Sequence, residues 1–428
     1  MEKARARDLE LRERALKVIP NGMYGHQSVG MLPRDFPQFF ARARGASLWD
    51  VDGNEYIDLM CAFGPNLLGY GFDSVERAAA AQRERGDVMT GPGEVMVILA
   101  EALVGMVTHA DWAIFCKNGT DATTAALVLA RAHTGRKTVL VAKGAYHGSA
   151  PWCTPRLAGI VPADRANIVS YTYNDPESLE RACKAHSGDV AAVFAAPFRH
   201  DAFCDQEEPN PQYARAARSL CDATGAVLVV DDVRAGFRLS RDSSWSVVGV
   251  QPDLSCWGKS IANGHPISAL LGSEHLRKAA GDIYVTGSYW FAAVAMAAAI
   301  ETLRQIRETD YLERIIRAGN SLRKSLDAQA AQHGFAIRQT GPVQMPQILF
   351  ADDPELRVGC SWAGECAAGG VYLHPFHNMF LSSAHNDKVL ARVLEVTDSA
   401  FRKLRENGPG PIPPLLEQYF RGARASLA

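Results

Sequence analysis

One lysine stands where an ammonium group would lose its water. In Cys256-Trp257-Gly258-Lys259-Ser260-Ile261, Lys259 follows the short apolar run Pro252-Asp253-Leu254-Ser255-Cys256 and precedes a turn-rich segment, Ala262-Asn263-Gly264-His265-Pro266. Burial lowers the pKa of an amine, and a neutral amine is a nucleophile that forms Schiff bases with aldehydes. Upstream, Val227-Leu228-Val229-Val230-Asp231-Asp232-Val233 ends an apolar run on two carboxylates. Such placement is costly unless a cation or a hydrogen-bond donor meets them. The pair suits holding a proton on a ring nitrogen, acid–base catalysis or a metal, although no His/Glu cluster of ligand spacing lies nearby. Lys117-Asn118-Gly119-Thr120-Asp121 follows another apolar run and opens a helical pattern. A helix N-terminus offers unpaired amides and a positive dipole end to a phosphate; Gly119 lets the anion approach, Thr120 adds a hydroxyl, and Asn118 completes the turn. Finally, Gly144-Ala145-Tyr146-His147-Gly148-Ser149 puts the Tyr146 ring between glycines, where it can stack on a flat ligand.

Taken singly, each motif has a plainer meaning. A lysine can run its stem out to solvent, Thr120 suits an N-cap, and loop aromatics often only pack. In this order they are the parts of a site for pyridoxal 5′-phosphate (PLP). A carboxylate beside the pyridine nitrogen keeps it protonated, so that the ring can accept the electrons of a carbanion.

Such a site needs strand ends brought together. From about residue 94 to 275 strand and helix patterns alternate. Ala113 to Cys116, Thr138 to Ala142, Val190 to Ala196, Ala226 to Val230 and Ile267 to Gly272 are apolar runs. Between them lie helical stretches, Asp121 to His133, Glu177 to Lys184 and Gln212 to Thr224. This predicts an α/β fold with a mostly parallel sheet covered on both faces, its chemistry at the carboxyl ends of the strands. The flanks differ. Residues 21 to 70 are rich in Gly, Pro and aromatics, with a turn at Asp52-Gly53-Asn54. The C-terminal part starts with a long helix, Tyr311 to His333, followed by strand-like pieces (Gln347 to Phe350, Val371 to Leu373) and a last helix, Lys388 to Arg405. With 428 residues, two lobes are expected: residues 71–315 as the large domain, 1–70 and 316–428 as a smaller α+β domain built from both chain ends.

Composition excludes several classes. Apolar and charged fractions of 47% and 21% are those of an ordinary globular protein, and a net charge of −2 gives no case for nucleic acid or an anionic membrane. Nine scattered cysteines without CxxC spacing read as reduced thiols. The charged segment Met1 to Lys17, with Leu9, Leu11 and Ala15 on one helical face, has no signal-peptide core, so a cytoplasmic protein is expected. No G-x-G-x-x-G follows a strand, which disfavours a nicotinamide cofactor.

The set of motifs resembles the class III aminotransferases of PLP fold type I, and within them the glutamate-1-semialdehyde aminomutase-like branch. The similarity runs from about Leu48 through His385, in stretches such as Leu48-Trp49-Asp50-Val51-Asp52-Gly53-Asn54-Glu55-Tyr56-Ile57-Asp58 and Asp231-Asp232-Val233-Arg234-Ala235-Gly236-Phe237-Arg238. Met23-Tyr24-Gly25-His26 and Thr286-Gly287-Ser288 further resemble the bacterial fumonisin aminotransferases, which deaminate long-chain amino polyols with pyruvate as acceptor. The resemblance implies that Lys259 is the Schiff-base lysine and proton shuttle and that Asp231 is the partner of the pyridinium. Gly119 and Thr120 would hold the phosphate, with Asn118 also among the cofactor-binding residues, Tyr146 over one ring face and Val233 under the other. Ser288, or adjacent Thr286, would reach the phosphate of a neighbouring subunit, which implies a homodimer with shared sites.

Departures from the branch bear on substrate. Ser28 stands where the aminomutases carry a carboxylate-binding arginine, and a serine does not replace a bidentate pair. Phe63 replaces a Trp, and the branch's Glu-Pro turn reads Ala196-Pro197-Phe198-Arg199. With Tyr24 and Phe63 on the substrate side, an amine without an α-carboxylate is expected. Arg199 and Arg234 are the candidates for a keto-acid carboxylate, with surface or interface salt bridges as the competing role. His374, His377 and His385 are expected to pack and bond the backbone, and Arg238 to be structural. The expected activity is transfer of an amino group from a primary amine to pyruvate by a ping-pong mechanism. The alternatives are an aminomutase or related isomerase on the same site and, more remotely, a PLP-fold regulator without turnover. No metal is expected.

Overall fold

The five expected apolar runs all lie in one seven-stranded sheet. The computed structural model describes residues 5–425, so Met1–Ala4 of the charged N-terminal segment and the last three residues lie outside the described residues. The sheet order is Trp112–Cys116, Ser268–Gly272, Leu254–Trp257, Val227–Asp231, Val190–Ala195, Thr138–Ala142, Ile168–Tyr171. Only Ser268–Gly272 runs antiparallel to its neighbours. The remaining strands point one way and end at one edge. Val190–Ala195, Val227–Asp231 and Leu254–Trp257 are buried along their whole length, as strands covered on both faces must be.

Successive residues of one strand enter different cores, following the period of two. Val229 packs with Ala122, Ala126 and Leu129 of the helix Gly119–Thr134. Its neighbours Leu228 and Val230 pack with Tyr213, Ala214 and Ala217 of the helix Pro211–Thr224. Register then fixes the chemistry at the edge: Asp231 pairs with Cys256, and Cys116 with Ser268.

A second sheet joins the two ends of the chain. Phe40–Arg44, Ser47–Asp50 and Glu55–Asp58 form an antiparallel meander, and Val371–Tyr372 adds to it in parallel beside Ile57 and Asp58. Gln347–Phe350 pairs with Ile337–Thr340 in a separate hairpin. The boundary expected between residues 315 and 316 falls inside an unbroken helix, Tyr311–Gln332; the nearest break in the chain is at Thr309–Asp310. No helix among the described residues is long and apolar enough to cross a membrane.

The N-terminal helix, Ala6–Val18, buries Ala15 and half-buries Leu11 as expected, but turns Leu9 out and Asp8 in. Leu9 is 51% exposed, whereas Asp8 is 2% exposed. The Asp8 carboxylate accepts hydrogen bonds from the Gln38 and Phe39 amides at 2.9 and 3.0 Å and from Arg12 Nε at 2.7 Å, so the helix is anchored by a polar clasp. Asp8→Ala leaves two amides without their acceptor and is expected to cost about 1–3 kcal/mol, read as a lowered urea midpoint at unchanged slope. An unchanged midpoint would refute the clasp.

Candidate active site

The turn after Trp112–Cys116 is built by a reciprocal cap. Asn118 Oδ1 accepts from the Asp121 amide at 3.1 Å, while Asp121 Oδ2 accepts from the Asn118 and Lys117 amides at 3.0 and 3.1 Å. Asn118, and not Thr120, is therefore the N-cap. The Gly119 and Thr120 amides are left among those a helix start cannot pair internally. Thr120 Oγ1 instead accepts from the Ser149 amide at 3.1 Å, and Thr123 Oγ1 donates to the His147 carbonyl at 2.7 Å, so the segment bearing Tyr146 is tied to this helix. A Cβ at Gly119 would sit 2.7 Å from Val233 Cγ1, which requires glycine there and lays Val233 against the turn.

Lys259 takes a left-handed backbone, φ 44°, directly after Gly258, which follows the strand Leu254–Trp257. Its Nζ donates to the Phe63 carbonyl at 2.9 Å. Burial, with the Arg234 and Arg238 charges adding to it, pulls the amine from the usual lysine range down to about 7. The acceptor comes from a strained loop: Cys61, Ala62 and Phe63 all have positive φ (47°, 55°, 63°). Arg238, fully buried, donates to the Gly64 and Leu381 carbonyls at 2.6 and 2.7 Å and holds that loop, which is a structural task.

The two aspartates part company. Asp231 Oδ1 accepts from the Val233 amide at 3.2 Å and Oδ2 meets His147 Nδ1 at 2.8 Å. Asp232 turns away to Ser243 Oγ and the Ser244 amide, and burial raises its carboxyl to about 7. His147 is the site residue that the sequence reading passed over. It lay in the quoted Tyr146-His147 run, but its partner is distant in the chain, so spacing carried no signal. No group of three His, Cys, Asp or Glu able to hold a metal occurs among the described residues.

Beyond Lys259 stands a layer of rings and one arginine. Phe63 meets His26 edge-on at 4.5 Å and His377 at 5.6 Å. Burial lowers the pKa of His26, His200, His374 and His377, so these imidazoles are neutral. His374 and His385 bond the backbone, as expected. Arg234 NH1 donates to Asn378 Oδ1 and to His377 Nε2 at 3.4 Å. Arg199 is already engaged, with Asp201 at 2.9 Å and Glu207 at 2.7 Å. Tyr24 is 69% exposed, and the Ser28 hydroxyl accepts from the Gly30 amide in a local turn. Thr286 and Ser288 are exposed, in the segment before the helix Ala293–Glu308.

The donor set fits PLP. A buried neutral amine, a carboxylate held by a histidine, and a helix start whose close backbone approach excludes a side chain at Gly119 lie at one sheet edge.

Known proteins agree with this geometry. The family profile "Aminotransferase class-III" matches residues 31–382. The chain is 64% identical over 395 residues to aminopentol aminotransferase of Sphingopyxis macrogoltabida, covering 92% of this chain and 94% of the relative. It is 32% identical to glutamate-1-semialdehyde 2,1-aminomutase 2 of Bacillus thuringiensis, covering 92% and 97%. Among solved structures, the PLP internal aldimine form of the Sphingopyxis sp. MTA144 FumI protein superposes with a TM-score of 0.95 at 62% identity, covering 96% of this chain and 99% of that one. The fold is PLP fold type I.

A lysine near pKa 7 has a measurable consequence. Trapping of an aldehyde probe on the PLP-free protein by cyanoborohydride is expected at Lys259, with a rate that rises as pH increases and is half-maximal near pH 7. Arg234→Gln, by removing a nearby positive charge, moves the half-point up. Trapping spread over many lysines, rising only above pH 9, would refute it.

Proposed function

The chain belongs to the class III aminotransferases, and from that membership we propose that it moves an amino group from a long-chain or hydrophobic primary amine or amino alcohol to pyruvate. The two half-reactions alternate, ping-pong fashion, at sites shared by two subunits. PLP is its cofactor. The observation that carries the reading is the desolvated Lys259 amine, held on the Phe63 carbonyl at the edge where Asp231 also ends its strand.

Bound PLP supplies an electron sink, so that a proton can leave the carbon bearing the amino group. The protein does the rest. Lys259 Nζ, its pKa brought down to about 7, would take the proton from the carbon bearing the amino group and return it to the cofactor's aldehyde carbon, C4′. Asp231 keeps the proton on the ring nitrogen, and His147 orients the carboxylate from behind at 2.8 Å. The Gly119 and Thr120 amides and the Thr120 hydroxyl bind the phosphate on a turn that Asn118 holds rigid. Tyr146 covers one face of the ring and Val233 supports the other.

Ser288, with Thr286 as the alternative, reaches the phosphate of the partner subunit. Supporting a homodimer, Val88, Met89, Val97, Ile98, Tyr284 and Tyr289 are all exposed apolar residues of the neighbouring segments, joined where Asp87 receives the Ala293 and Val294 amides. On the substrate side, Ser28 offers no cation, and Tyr24, His26 and Phe63 are uncharged surfaces suited to an amine without a carboxylate. The name of the 64% identical relative supports an amino polyol as donor.

The purified holoenzyme is expected to be yellow and to form alanine from pyruvate with a long-chain 2-amino alcohol; Lys259→Ala loses both the colour and turnover. Asp231→Asn retains PLP but slows the amine half-reaction by about two orders of magnitude or more, measured by stopped flow, because an amide cannot hold the nitrogen protonated. Near-normal rates would refute the role of Asp231. Efficient isomerisation of glutamate-1-semialdehyde without a keto acid would instead install the aminomutase reaction.

Ser288→Ala is expected to weaken PLP retention about tenfold to a hundredfold, the loss of one hydrogen bond to a charged phosphate. A monomer by light scattering that keeps PLP tightly would contradict the shared site. Damage from Thr286→Ala alone would move the contact to that residue.

A further inference from the structure

The geometry points to Arg234 as the group that receives the carboxylate of the keto acid, held by neutral side chains so that the same pocket also accepts amines carrying no carboxylate. This rests on the aminotransferase reading above and names the acceptor subsite within it.

Arg234 is a half-buried arginine without a counter-ion. Desolvation lowers its pKa to about 10, and the carboxylates that act on it, Asp231 and Asp201, do so only at a distance; among the described residues none forms an ion pair with it. A desolvated guanidinium without an anion is unfavourable, and a carboxylate arriving at its fork gains two parallel charge-assisted bonds. Its held atom is NH1 alone, which donates to Asn378 Oδ1 and His377 Nε2. The His377 tautomer is set by its other nitrogen, since Nδ1 donates to the Asn378 carbonyl at 2.6 Å and Nε2 is left as an acceptor. Two neutral acceptors thus orient one edge of the fork and leave Nε and NH2 unengaged.

The other arginines lack that freedom. Arg199 is already ion-paired with both Asp201 and Glu207, and Arg238 is fully buried on two carbonyls. Position agrees. Arg234 and Lys259 border the same Phe380 ring, and the Arg234 charge acts on the Lys259 amine. A 2-oxo acid carries its carboxylate directly on the carbonyl carbon, so its anchor must border the site of the reacting amine. When an amine occupies the pocket, His377, Asn378 and the Phe380 ring still support the cation. No carboxylate partner has to be broken open between half-reactions.

The test compares acceptors with and without the anion. For the holoenzyme with one amine donor, kcat/KM is measured for pyruvate and for propanal in wild type, Arg234→Gln and Arg234→Lys. Arg234→Gln is expected to lose about a hundredfold with pyruvate and less than about threefold with propanal, with Arg234→Lys between because it keeps charge without the fork. Independently of turnover, propionate, which has the carboxylate but no ketone, is titrated into the holoenzyme by calorimetry. Wild type binds it and Arg234→Gln does not. An unchanged pyruvate-to-propanal ratio, equal losses with both acceptors, or retained propionate binding in the variant would each overturn the assignment. Should Arg234→Gln not fold, Arg234→Lys carries the same ratio and the same titration. Bleaching of the wild-type visible band by the amine alone tests the aminotransferase reading itself. Its failure sinks that reading, whereas the calorimetry judges Arg234.

Discussion

An amine kept from water at the mouth of a sheet is the constraint on which the rest of the site depends. To stay neutral and aimed, Lys259 needs a hydrogen-bond acceptor that brings no negative charge, and a backbone carbonyl answers that need. Presenting the Phe63 carbonyl takes three consecutive left-handed residues, each costing on the order of 1–3 kcal/mol. The surroundings hold that loop from several sides. Asp58 accepts from the Met60 amide at 2.8 Å, Arg238 fixes the Gly64 carbonyl, and Phe380 packs so closely that a Cβ at Gly64 would meet it at 2.9 Å. Local strain and global packing are thus two sides of one device.

Charge is arranged with equal economy. Lys259, Arg234 and Arg238 surround Phe380, whose face is favourable to cations without titrating. Burial lowers the pKa of His26, His200, His374 and His377, so these four add polarity but no charge. Of two adjacent aspartates, one is satisfied by serines inside the fold and one is left facing the site with a histidine behind it. The excess of positive charge suits a phosphate and a keto acid, and it also depresses the pKa of the lysine.

Much of this was legible in the chain because the chemistry sits where apolar runs stop. Thr138–Ala142 and Gln347–Phe350 match the expected strands residue for residue, and Asp231 and Lys259 stand at run ends that any buried strand would produce. What escaped depended on contacts distant in sequence or on elements without periodicity. His147 finds Asp231, and Arg234 finds His377 and Asn378, across stretches that no local pattern links. Val95–Val104 is apolar nearly all round and Ala293–Glu308 is so over its first half, so no amphipathic signal marked their starts as helical. At Ala6–Val18 the spacing found Ala15 and Leu11 but misplaced Leu9, since an acidic residue with three donors, Asp8, is what the fold buries beside them. The cap at Asn118 was readable in principle from Asp121 three residues on, the signature of a reciprocal cap.

The strand Val371–Tyr372 closes the small sheet against Ile57 and Asp58, and the residues that follow it, from His374 to Leu381, furnish the far wall around Lys259. Synthesis runs from the amino end, so a ribosome completes Asp231 and Lys259 well before it makes that wall. Until then the lysine lacks Phe380 and the Arg238 contact with Leu381, and the amine remains hydrated and protonated. The reactive group therefore matures last, when the two chain termini have met. Completion of the small domain and the appearance of a strongly activated nucleophile are in this sense one event, since the wall that withdraws the amine from water is supplied by the last part of the chain.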